Sequence, residues 1–69
     1  MSAIDRAILA AVRGGASRRT EVLASLAEQG IACTLPQFYE ALNRLLSSGA
    51  IERRGTKRGT TYAAREATA

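Results

Sequence analysis

The chain has no histidine, no tryptophan, a single cysteine (Cys33) and a single proline in its 69 residues. One cysteine excludes an intramolecular disulfide, and without histidine too few soft ligands remain for a zinc site. A Ser-His or Cys-His nucleophile has no imidazole to activate it. The acids Asp5, Glu21, Glu28, Glu40, Glu52 and Glu66 are scattered, with no pair spaced for acid–base work. Glycines are few, and neither Gly14-Gly15 nor Gly55 with Gly59 has the layout of a phosphate loop. The sequence therefore predicts a binding protein with no cofactor, and not an enzyme. No apolar run approaches the roughly 20 residues of a membrane span. The start, MSAIDRAILAAV, carries Asp5 and Arg6 and lacks the layout of a secretory signal. It reads as a structural helix of a cytoplasmic protein.

What the chain does have is arginine. The net charge is +4, and the ten cations are Lys57 and nine arginines. Residues 34–69 hold six cations against three acids, while residues 1–33 hold four against three. The densest stretch is IERRGTKRGTTYAA, residues 51–64, in which Arg53, Arg54, Lys57 and Arg58 surround Gly55. Localised positive charge favours a polyanionic partner, because neutralising phosphates releases their counterions. Arginine adds a planar fork that fits a phosphate or a guanine edge.

Helix signals come in order along the chain. Ser2 is a cap with Asp5 placed for a reciprocal capping box, and Ile4, Ile8, Ala11 and Val12 recur at helical spacing before Gly14-Gly15. Ser17 opens a second helix that runs through Gln29, with Val22, Leu23, Leu26 and Ala27 inward and Gly30 as the stop. Thr34 caps a third, Pro36 sits in its first turn, and Leu35, Phe38, Leu42, Leu45 and Leu46 form its apolar face up to Gly49. The period then shortens to about 2. Ala50–Arg54 and Thr60–Ala64 read as strands joined by a loop at Gly55–Gly59. The expected architecture is a mostly helical α+β domain over residues 1–64, three helices and a C-terminal β-hairpin, followed by a frayed tail at 65–69.

On the third helix, 100° per residue sets Gln37, Glu40, Asn43, Arg44 and Ser47 opposite Phe38. These side chains suit base edges and phosphates. Arg18 and Arg19 open the second helix, where positive charge opposes the macrodipole; a nearby phosphate would give that charge a use. Tyr39 belongs at the edge of the buried arc with its hydroxyl at the surface, and Tyr62 closes the hairpin against Leu45 or Ile51.

The stretch TLPQFYEALNRLLSSGAIERRGTKRGTTYAA, residues 34–64, resembles the winged helix-turn-helix family in its capped helix with L-x-x-L spacing, Gly-x-Ile, basic hairpin and closing tyrosine. Residues 17–32 fit the preceding helix and turn. The resemblance implies a small transcriptional regulator of bacterial or phage type that binds double-stranded DNA. Its third helix would lie in the major groove through Thr34, Gln37, Glu40 and Arg44, with Asn43 on the same face and the Tyr39 hydroxyl donating to a phosphate. Its wing would reach the flanking backbone or minor groove through Arg53, Arg54, Lys57, Arg58 and Thr60, with Arg18 and Arg19 on phosphates. Glu40 would have to read a cytosine amine, pair with Arg44 or point away.

Relatives that prefer left-handed DNA carry Asn and then Tyr on this helix and a wing with Pro and Trp. Here the order is Tyr39 then Asn43, and the wing has neither. RNA is disfavoured by the scarcity of stacking aromatics, only Phe38, Tyr39 and Tyr62. The competing reading is a winged-helix protein-interaction or assembly module, for which a basic wing has no purpose. A homodimer is expected, with its contact on the first helix around Ile4, Ile8 and Leu9.

Overall fold

Ser2 starts the first helix as the sequence anticipates: its hydroxyl accepts from the Asp5 N–H at 3.1 Å, and α1 runs Ala3–Arg13. In the computed structural model, which describes residues 2–55 and 59–65, this helix is followed by α2 (Arg19–Glu28), α3 (Leu35–Ser48), β1 (Ile51–Arg54) and β2 (Thr61–Ala64). The strands pair antiparallel, with Ile51 opposite Ala64 and Arg53 opposite Tyr62. Three helices and a two-stranded hairpin make a mostly helical α+β fold, compatible with a winged-helix layout. Each strand is one residue shorter than the sequence suggests. No helix among the described residues is long and apolar enough to cross a membrane.

The start of α2 differs from expectation. Ser17 does not cap it; Arg18 occupies the cap position, and the Glu21 carboxylate accepts from the Ser17 N–H at 2.9 Å and the Arg18 N–H at 3.0 Å. The Ser17 hydroxyl, instead of accepting a helix N–H, donates to the same carboxylate at 3.2 Å. At α3, Thr34 and Gln37 form the reciprocal box and Pro36 sits in the first turn. Gly49 ends the helix with φ +82°, a conformation that a side chain would strain.

The core is one cluster in which Ile8, Val12, Val22, Leu26, Phe38, Leu42, Leu45 and Ile51 are buried. Burying each large apolar side chain contributes roughly 1.5–3 kcal/mol. Ala7, Ala11 and Ala41 are buried as well. Their small side chains let α1 and α3 lie close together. Three expectations fail here, the first being Ala27 of α2, which was expected to face inward and is exposed. Leu35 is 55% exposed, because it is the first residue of α3 and its Cα–Cβ bond points back beyond the edge of the core. Ile8 is fully buried, so it cannot contribute to a surface between copies; Ile4 and Leu9 are partly buried against the same core.

The hairpin is tied to the body through β2 and closed at its own base. The Tyr62 N–H donates to the Ser17 carbonyl at 2.7 Å, and the Arg65 N–H to the Ala50 carbonyl at 3.0 Å. Tyr62 packs on the core as anticipated. At Gly55 (φ +83°) an added Cβ would collide with the Gly59 carbonyl, so this glycine allows the strands to close on their loop.

Candidate nucleic-acid interface

Arg19 occupies the first position of α2, and its Nη1 donates to the Tyr39 hydroxyl at 2.6 Å. Tyr39 is held from the other side by Phe38, whose ring meets it edge-on at 5.4 Å between centroids. Phe38 is wholly buried and Tyr39 is 38% exposed, so the phenol stands on a fixed base with its oxygen at the surface. That oxygen accepts from Arg19, and its own proton remains to be donated. No acceptor takes it among the described residues. The contact orients the guanidinium, which forms no ion pair among the described residues.

The bond from Tyr62 to Ser17 carries this surface into the hairpin. Ser17 precedes Arg18 and Arg19, and Tyr62 lies opposite Arg53 on β1. Backbone pairing and chain order thus link Arg53 to the start of α2, and the side-chain contact in this set is that of Arg19 with Tyr39. Arg18, Arg19 and Arg53 are exposed, and none forms an ion pair among the described residues.

Other expected site residues are placed differently. Arg44 is engaged by Asp5 of α1, its Nη2 at 2.8 Å from one carboxylate oxygen and its Nε at 3.2 Å from the other. Pairing with Glu40, one turn away, was one of three alternatives the sequence left to that glutamate. A carboxylate facing the guanidinium fork makes two parallel charge-assisted bonds, and Asp5 supplies that geometry from the neighbouring helix. Asp5 in turn departs from the capping box: it receives the Ser2 hydroxyl at 2.9 Å and the Arg44 fork instead of the Ser2 backbone N–H. Its carboxyl is held below its usual range chiefly by the Arg44 bonds, which outweigh the opposing effect of burial. Arg54 pairs with Glu52 two residues before it on β1. Both arginines are still solvent-exposed, but their charge is locally compensated.

Thr34 and Gln37 spend part of their hydrogen-bonding capacity on the helix start: the Thr34 hydroxyl accepts the Gln37 N–H at 3.2 Å, and the Gln37 carbonyl accepts the Thr34 N–H at 2.9 Å. The Gln37 amide NH₂ stays available as a donor. Glu40 and Asn43 are exposed on the outer face of α3, and Thr60 is half-buried beside β2. Lys57 and Arg58 lie outside the described residues. Asp5, Ser17 and Glu21 shape the site and were not foreseen in these roles. Asp5 and Glu21 each stand three residues after the N-cap position of their helix, which signals a cap and nothing about Arg44 or Ser17.

No cluster of His, Cys, Asp and Glu able to hold a metal occurs among the described residues, and Cys33 is a half-buried free thiol. No family model matches this chain, and no curated protein or solved structure matches it significantly.

Proposed function

We propose that this chain binds double-stranded DNA and acts as a small transcriptional regulator in the cytoplasm. The third helix enters the major groove and the arginine-bearing hairpin lies on the flanking backbone or minor groove. The observation that carries the reading is the Arg19–Tyr39 contact on the flank of α3, a guanidinium with no ion pair among the described residues beside a phenol donor, with Arg53 on the hairpin that the Tyr62–Ser17 bond joins to the start of α2. Backbone contacts of this kind fix register and orientation, and base edges are left to the exposed side chains of α3. Gln37, Asn43 and Glu40 are the candidates there. The resemblance of residues 34–64 to winged helix-turn-helix domains supports the same assignment.

A protein-interaction module is the second reading. An exposed Leu35 and the open groove on α1 between Arg6, Leu9, Ala10 and Arg13 favour it. It leaves the uncompensated arginines without a purpose, and for that reason we place it second.

Fluorescence-anisotropy titration of labelled duplex DNA at two salt concentrations tests the proposal. Binding should weaken with salt at a logarithmic slope of about −0.9 for each phosphate contacted. Absence of binding at low salt would remove the reading.

A further inference from the structure

The outer face of α3 carries a single carboxylate. Glu40 follows the buried Phe38 by two residues, which sets it about 200° around the helix axis from that ring, and it is exposed. Pro36, Asn43 and Ser47 surround it on the same face, all exposed and uncharged. One turn further on, Arg44 turns its Nε and Nη2 to Asp5 on α1. The Arg44 pKa is raised first by those bonds, and Glu40 adds less to it than Asp5 does. Glu40 itself forms no ion pair among the described residues. A carboxylate so placed repels phosphates and weakens binding to every sequence. It also accepts hydrogen bonds and donates none. Among base edges in the major groove, only the N4 amine of cytosine and the N6 amine of adenine can donate to it. Adenine sets N7 beside its amine, and that lone pair would face the second carboxylate oxygen. The cytosine edge shows its amine without an acceptor beside it.

We propose that Glu40 is a specificity-determining residue whose carboxylate accepts a hydrogen bond from the N4 amine of one cytosine in the major groove. The inference rests on the duplex-binding reading above and names a base that the duplex must carry. The charge then acts twice. It lowers affinity for duplexes in general, and the right cytosine recovers part of that loss.

The test starts from a random duplex pool selected on the wild-type chain, from which the required base pairs are read. Each required C·G pair is then changed in turn to T·A, which places the O4 acceptor of thymine where the amine stood. Wild type and Glu40→Ala are titrated against each duplex by anisotropy at one low salt concentration. One of these changes should weaken wild-type binding roughly tenfold and leave Glu40→Ala unaffected. Glu40→Ala should also bind an unrelated duplex at least as tightly as wild type does. Circular dichroism should show the variant folded, since the side chain is exposed and alanine favours the helix. The assignment is overturned if Glu40→Ala responds to every change as wild type does, or if the selection returns no required cytosine. Weaker binding of the variant to the unrelated duplex would overturn it too. Failure of the wild type to bind any duplex at low salt would instead remove the duplex reading beneath it, and the proposal with it.

Discussion

Two arginines join α3 to its neighbouring helices, Arg44 to α1 and Arg19 to α2, and they have opposite consequences. Arg44, on one flank, meets the buried carboxylate of Asp5 in α1. Arg19, approaching the other flank from α2, meets the neutral hydroxyl of Tyr39. The first contact compensates charge and joins α1 to α3. The second orients charge and leaves it uncompensated. Counting cations cannot separate these cases, because both residues are exposed arginines near a polar helix face. What separates them is the partner: a carboxylate makes an arginine part of the fold, and a phenol leaves it ready for a phosphate. The hairpin repeats the contrast on a smaller scale, with Arg54 paired to Glu52 and Arg53 without an ion-pair partner among the described residues.

The largest expected effect lies on the structural side. Asp5→Asn removes the charge that holds Arg44 and should cost on the order of 1–2 kcal/mol at neutral pH, read as a lower Tm. The pH dependence follows from the depressed carboxyl. A group whose folded pKa lies below its unfolded value, about 3.9 for aspartate, contributes fully above that value and loses its contribution as pH falls through the folded one. The Tm gap between wild type and Asp5→Asn should therefore close on acidification below about pH 4. A gap that persists there would mean the loss comes from packing. Glu21 is also held low, first by the Ser17 and Arg18 backbone N–H groups, so part of the acid sensitivity should remain in the variant.

The smallest effect belongs to the other flank. Tyr39→Phe keeps the ring against Phe38 and deletes the oxygen that orients Arg19. Its folding stability should stay within about 0.5 kcal/mol of wild type. Its duplex affinity should fall roughly two- to tenfold. Loss of stability without loss of affinity would mean that the Arg19–Tyr39 contact belongs with the Arg44 pair.

Most of the architecture was legible in the residues. Ser2, Thr34, Pro36 and Gly49 each demand a particular local backbone, and each occupies the position it signalled. The spacing of Phe38, Leu42 and Leu45 placed the buried side of α3 correctly. Leu35 fits the same angular pattern and is nevertheless exposed. Periodicity reports the direction around a helix axis, not how far along that axis the neighbouring elements extend. The site was only partly legible for a related reason. Exposure of Arg18, Arg19 and Arg53 was foreseeable from their setting, whereas the choice of Asp5 for Arg44 spans 39 residues and has no local signature. The bond that joins Tyr62 to Ser17, and with it the hairpin to the start of α2, is equally invisible before the chain is folded.

The most direct test compares the salt dependence of duplex binding in two variants, each held below its own Tm. Arg19→Ala should flatten the logarithmic salt slope by about one unit and leave Tm near wild type. Arg44→Ala should lower Tm and leave the slope unchanged. The reverse pattern, an unaltered slope in Arg19→Ala and a flattened one in Arg44→Ala, would contradict the division of the two flanks into a contact for DNA and a contact for the fold.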